Sequence, residues 1–229
     1  ILGIGDTTQL LQITLTGASS LTKVGSGSST LLNLSSYTGT TSVQEGTLSA
    51  ATLNKIVSGV AASSLGAPTT AFNGTIHLGS LGWTGALRIT GGAQTTDRII
   101  NLAGTTGGGV LDRSGPGALV FTGGVTATGA GAKTLTLQGS ASGTGEIVGV
   151  IADNSAINTT ALLKQGTGTW TLSGANTYSG GTRLAEGTLR LGNARALGAG
   201  TLTLQGGALD NSTGGALTLS GDLPVNWSG

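Results

Sequence analysis

The chain has 229 residues, 44 of them glycine, with 8% charged and 3% aromatic side chains, no cysteine, no methionine and a formal net charge of +1. Ordinary globular proteins carry about 25% charged residues and about 7% glycine, so the ordinary enzyme is a poor match, and three prolines rule out collagen. Ten scattered basic residues against nine acidic ones leave no basic patch for nucleic acid. Positive mean hydropathy with little net charge argues against disorder. No apolar run of membrane-spanning length occurs. No basic leader precedes "ILGIGD", and both ends read as cut from something longer.

Taken in chain order, alternating apolar/polar runs bounded by Gly, Asn or Ser predict short strands. They are "LQITLTG" from Leu11, "GTLSAATL" from Gly46, "GTIHLGS" from Gly74, "GALRITGG" from Gly85, "DRIINLAG" from Asp97 and "GALVFTGG" from Gly117. The series continues with "KTLTLQGS" from Lys133, "GTWTLSG" from Gly168, "GTLRLG" from Gly187, "GTLTLQGG" from Gly200 and "GALTLSG" from Gly215. Leu and Ile fall on one face of each run and Thr, Ser or Arg on the other. The best helical window, Leu53 to Ala67, is weakened by Gly59 and by the β-branched Ile56, Val57 and Val60. It is read as a loop or one short helical turn.

Shifted by 141 residues without gaps, Leu21 to Ala50 superposes on Leu162 to Leu191, and 13 of 30 positions are identical. Lys23/Lys164, Tyr37/Tyr178 and Glu45/Glu186 are among them. Matching Lys, Tyr and Glu in register is hard to obtain from Gly/Ser/Thr/Leu bias alone. A partial third copy starts at Leu111, spanning 111–124, with Arg113 in the lysine place and Gly115 and Gly117 following. Repeats of one-sided strands without helices predict an all-β, parallel β-helix in which each coil buries its apolar face on its neighbours. At roughly 20 residues and about 4.8 Å per coil, the whole chain, 1–229, would form one continuous segment of about eleven coils, roughly 50 Å long.

In "SGANTYSGGT", Ser173 to Thr182, one of only two tyrosines sits among turn residues. The reading is a coil corner, with the Tyr178 ring on apolar neighbours and its hydroxyl at water. Tyr37 recurs in the earlier copy while Ser35 stands where the later one has Asn176. The ring is therefore expected to matter more than the amide.

These residues resemble a known family. "LLKQGTGTWTLSGANTYSGGTRLAEGTLRLGNARALG", 162–198, is similar to the passenger-associated transport repeat of bacterial autotransporters, and 21–50 resembles a diverged copy. The resemblance implies a right-handed parallel β-helix passenger, secreted through a C-terminal outer-membrane β-barrel of the same polypeptide and displayed on the surface of a Gram-negative cell. The segment itself would be a non-enzymatic rod: a spacer, adhesin stalk or fibre. Host or neighbouring cell surfaces, or other copies of itself, are its expected partners.

Candidate chemistry is sparse. His77 is the only histidine, no Gly-x-Ser-x-Gly elbow accompanies it, and an outward polar role is expected. "GAGAKT", 129–134, has Ala132 where a phosphate loop needs glycine. Zinc clusters and Gly-Gly-x-Gly-x-Asp calcium repeats are missing from the sequence. The nearest approach to paired acid/base groups is Asp97–Arg98, Asp112–Arg113 and Glu186–Arg190; strand neighbours face opposite ways. No catalytic, cofactor or metal residue is assigned, and none of these cofactors is expected. A carbohydrate-active β-helix enzyme and a self-assembling fibre remain as alternatives. Trp83, Trp170 and Trp227 could stack on sugars, with packing favoured for Trp170.

Overall fold

The computed structural model describes residues 2–4, 8–56, 61–220 and 222–228. Parallel strands stack into a β-solenoid with three ladders. The long ladder holds ten strands: Gln9–Leu11, Ser28–Leu31, Gly46–Ala50, Gly85–Ile89, Gly109–Arg113, Lys133–Gly139, Thr160–Lys164, Thr182–Leu184, Leu202–Leu204 and Val225–Trp227. A first side ladder holds Leu2–Ile4, Leu21–Lys23, Thr41–Val43, Ile76–Leu78, Ile100–Leu102 and Val125–Ala127. A second holds Gln94–Thr96, Gly117–Phe121, Gly143–Ile147, Thr169–Leu172, Thr188–Leu191 and Ala208–Asn211.

Ten rungs are fewer than the eleven coils expected, because coils do not all take 20 residues. One coil advances from Lys164 to Leu184, but another runs from Leu137 to Lys164 and a third from Ser49 to Arg88. Nine steps at about 4.8 Å give a ladder of about 43 Å. The longest step carries the segment after Ala50. Its described residues from 51 to 75 are irregular apart from a bridge at Ser63 and one helical turn, Ala71–Gly74, capped by the Thr70 hydroxyl, which accepts from Asn73 N, before the strand Ile76–Leu78 resumes the stack. The window 53–67 is non-helical where it is described, and 57–60 lie outside the described residues.

Inward Leu, Ile and Val form one continuous core, and on the long ladder Leu48, Leu87, Leu111 and Leu137 stack directly in register. Because backbones stack at strand spacing, each side chain must fit the rung beside it. Trp170 is fully buried, as packing required, and stands in register with Gly145. A Cβ on Gly145 would lie 2.5 Å from the indole. The indole N–H donates to Gln138 O (2.9 Å), so the ring buries its area without orphaning its donor.

Two predicted strands fail. "LQITLTG" loses its ladder after Leu11, although burial still alternates to Leu15. There the chain rounds a corner, and Leu15 O and Gly17 O accept from Ser36 N and Thr38 N of the next coil, both 2.8 Å. "GALTLSG" is also unpaired, and the last rung is Val225–Trp227 instead. Period-2 burial marks the inward face; it does not by itself supply a neighbouring strand.

Candidate functional site

Each repeat copy builds the same two devices. The first is a buried lysine. Lys164 ends a strand of the long ladder, and the Gly166-containing turn that follows folds its carbonyls back over the side chain. Lys164 Nζ donates to Gln165 O (2.9 Å), Gly166 O (2.7 Å) and, one coil on, Glu186 O (2.9 Å). Lys23 repeats the pattern toward Val24 O (2.6 Å), Gly25 O (2.5 Å) and Glu45 O (3.4 Å). Both side chains are inaccessible to solvent. An ammonium has three donors, and three carbonyls receive them. Otherwise burying the charge would cost several kcal/mol. Desolvation lowers the Lys164 pKa to about 8, opposed by the Glu186 charge.

Arg113 and Lys133 use the same chemistry. The Arg113 guanidinium donates back to Ile89 O (3.2 Å), Gly91 O (2.7 Å) and Gly92 O (2.9 Å) of the preceding coil and to Pro116 O of its own turn. Lys133 Nζ donates to Gly129 O, Ala130 O and Gly131 O at 3.1, 3.2 and 3.0 Å. Desolvation pushes the pKa of both cations down. The signal in the sequence was Lys/Arg-x-Gly-x-Gly, at Lys23, Arg113 and Lys164. It marked a repeat, but its purpose as a turn clamp was not read from it.

The second device is the tyrosine corner. Tyr37 and Tyr178 are fully buried, and their hydroxyls pair with Thr41 Oγ1 (2.7 Å) and Thr182 Oγ1 (2.5 Å). The hydroxyl expected at water is therefore inside. Desolvation raises Tyr37 to about 12 and Tyr178 further still, against the opposing threonine bonds. A cap closes each corner. Ala67 N donates to Tyr37 O (2.8 Å) and Ala199 N to Tyr178 O (2.9 Å). The preceding Gly66 and Gly198 have φ of +74° and +65°, and a Cβ at either would meet the tyrosine carbonyl at 2.4 or 2.3 Å. Only glycine fits that left-handed, crowded position. The ungapped comparison missed this cap. Leu65-Gly66-Ala67 matches Leu197-Gly198-Ala199 at a shift of 132, and a comparison allowing a gap would have found it.

Asn176 is also more than a spectator. Its Oδ1 accepts from Ile151 N (2.9 Å) and its Nδ2 donates to Ala196 O (2.6 Å), whereas Ser35 Oγ in the earlier copy accepts from Leu15 N (3.1 Å). The serine keeps one of the amide's two coil-to-coil bonds.

The acid/base candidates stay apart. Asp112 pairs with Arg88 of the preceding coil (3.0 Å) and accepts from Gln138 Nε2 (3.1 Å), while Arg113 points inward. Asp97 Oδ1 accepts from Ile56 N (2.6 Å), and Arg98 is buried against Asn54 Oδ1 and Gly66 O. Arg190 pairs with Asp210 (2.9 Å), not Glu186. His77 lies in an outward polar row with Asn101, whose Nδ2 is 3.1 Å from its Nδ1, and burial lowers its pKa. The arrangement ties coil to coil.

A parallel solenoid whose turns are locked by buried cations and whose corners are stapled by tyrosines defines a repeat scaffold. Residues 21–50 and 162–191 match the family described as Passenger-associated-transport-repeat. The chain is 38% identical over 144 residues to the Adhesin BmaC autotransporter of Brucella suis biovar 1 (strain 1330), across 62% of this chain and 4% of that protein. It thus spans a small fraction of that relative's length. No solved structure matches it. Both matches agree with the resemblance drawn from the residues: the chain is similar to autotransporter passenger sequence.

Proposed function

We propose that this chain is a non-enzymatic rod segment of a surface-displayed passenger, a spacer or adhesin stalk carried with a C-terminal outer-membrane barrel of the same polypeptide. The supporting observation is the repeated clamp: its lysines and tyrosines are consumed by bonds within a turn or between neighbouring coils. Stability is then a sum over adjacent coils. Such a rod can fold one coil at a time as it emerges, each new coil closing the clamp of the last, which supports vectorial export. Its outer end would meet a host or neighbouring cell, or another copy of itself.

Two experiments test the reading. Protease applied to intact cells making the full-length gene product should remove this segment while periplasmic markers survive; a protected segment overturns surface display. Incubation of the purified chain with polysaccharides should release no reducing sugar; release that disappears on Asp112→Asn overturns the non-enzymatic part.

A further inference from the structure

Beyond the turns at 24–27 and 44–45, the corner between the first side ladder and the long ladder carries four further stacked turns, near 79–84, 104–108, 128–132 and 153–159. They are contiguous. Leu81 O accepts from Thr105 N (2.7 Å), Thr106 N (3.1 Å) and Gly107 N (3.0 Å) of the next coil. A Cβ on Gly131 would lie 2.3 Å from Thr105 O. In turn, Gly131 N donates to Asn158 Oδ1 (2.7 Å) and Asn154 Nδ2 to Gly129 O (2.7 Å).

Two apolar posts stand at the ends of this column. Ser80 and Trp83 exchange both backbone bonds (3.3 and 2.8 Å), closing a two-residue turn that holds Leu81 at φ +51°. Among the described residues no other non-glycine has positive φ, and a residue with a Cβ is disfavoured there. Yet Leu81 is 65% and Trp83 57% exposed. Ile157, at the other end, is 86% exposed on a loop tied down through Asn154 and Asn158. Between the posts lie the exposed Thr105 and Thr106 and a glycine floor with little side-chain relief.

We propose that this ridge is a binding site for a neutral oligosaccharide. The chemistry selects that occupant. A pyranose ring offers an apolar C–H face to stack on the negative face of an indole, and hydroxyls at its edge for threonines and bare backbone. Among the described residues, the cations near the column are engaged: Lys133 by its turn carbonyls, and His77 by Asn101 Nδ2 (3.1 Å). Asp153 is held by Thr160 N (2.6 Å) and the Ser179 hydroxyl (2.7 Å), and the carboxylate of Glu45 stands on the turn one coil below. No free cation among the described residues is left there to select an acidic glycan, and the Glu45 carboxylate would repel one. Three coil steps separate the posts by about 14 Å, the span of a short oligosaccharide. Both posts are fixed in advance, so little ordering entropy opposes binding. The proposal goes beyond the rod reading, which stands whether or not the ridge binds.

The test is a glycan array of neutral hexose and N-acetylhexosamine oligosaccharides printed beside sialylated and sulfated ones, probed with the whole chain. Hits are then titrated in solution. At least one neutral oligosaccharide should bind, and Trp83→Ala should weaken it about tenfold or more, equivalent to about 1.4 kcal/mol. Trp83→Phe should retain part of the binding, Ile157→Ala should weaken longer oligomers most, and Trp227→Ala should change nothing. An unchanged circular dichroism melt keeps the variants interpretable. Binding of no neutral glycan, binding of acidic glycans alone, or indifference to Trp83→Ala each overturns the proposal. So does self-association that Trp83→Ala abolishes, which would make the ridge a contact between copies.

Discussion

The two repeat copies are close in sequence and nearly identical in their clamps, yet they do not sit on the same side of the solenoid. Lys23 ends a strand of the first side ladder and its turn leads into the long ladder, whereas Lys164 ends a strand of the long ladder and leads into the second side ladder. The Tyr37 corner accordingly lies between long and first ladders, and Tyr178 between second and long. The unit that repeats is thus a strand–turn–strand–corner segment defined by its own bonds, not by an absolute face of the rod. Three-stranded coils between the copies, through Ile100–Leu102, Gly109–Arg113 and Gly117–Phe121, shift the phase. A second difference lies in the cap. Gly198 follows seven residues after Leu191, but Gly66 follows sixteen after Ala50, so extra chain was inserted between strand and cap without disturbing the cap.

If the clamp is the same device on both faces, removing its cation should cost the same on both. Lys164→Met and Lys23→Met each deprive three part-buried carbonyls of their lysine donor, an expected loss of roughly 1–3 kcal/mol in denaturant unfolding. A cheap Lys23→Met beside a costly Lys164→Met would break the equivalence. Next come the caps. Gly66→Ala and Gly198→Ala force a side chain onto a tyrosine carbonyl at left-handed φ, and about 3 kcal/mol should be lost in each. Because the insertion lies before the cap and not within it, the two values should agree.

The corners also predict an alkaline limit. In the unfolded chain a tyrosine loses its proton near 10, whereas folded Tyr37 holds its proton to about 12 and Tyr178 beyond. Their contribution is complete below pH 10 and is lost as pH rises toward 12, on the order of 2–3 kcal/mol for Tyr37. Lys164 acts oppositely over an earlier range. Its folded pKa of about 8 lies below the unfolded 10.5, so the unfolded state binds more protons between those values and stability rises there with pH. Melting temperature against pH should climb modestly above 8 and fall above 10. Tyr37→Phe with Tyr178→Phe should flatten the fall and leave the climb.

Most of this architecture was legible because glycine punctuation and period-2 burial are local properties. "GALRITGG", "KTLTLQGS" and "GTLRLG" all overlap the strands at Gly85–Ile89, Lys133–Gly139 and Thr188–Leu191. What stayed hidden was set by the neighbouring coil. "GALTLSG" has the pattern and no partner strand, while Thr182–Leu184 shows little pattern and is held by rungs on both sides. The tyrosine corner was read from its repetition, but the side of the ring's hydroxyl depended on Thr41 and Thr182 four residues on. The cap was invisible to an ungapped shift.

The finest difference between the copies concerns one core position. Trp170 fills its rung above Gly145, while its counterpart 141 residues earlier is Ser29, equally buried, whose hydroxyl has no hydrogen-bond partner. A buried hydroxyl without a partner forfeits the water bonds it had in the unfolded chain. Ser29→Ala removes that cost and leaves the volume almost unchanged, so the chain should gain about 1 kcal/mol. Ser29→Trp should do the reverse, because Ser29 pairs in register with Gln9 and Leu48, neither of which yields space as Gly145 does. The same position in the same repeat thus accepts opposite residues. The choice is made by the coil beside it, and equilibrium unfolding of Ser29→Ala against Ser29→Trp measures that dependence directly.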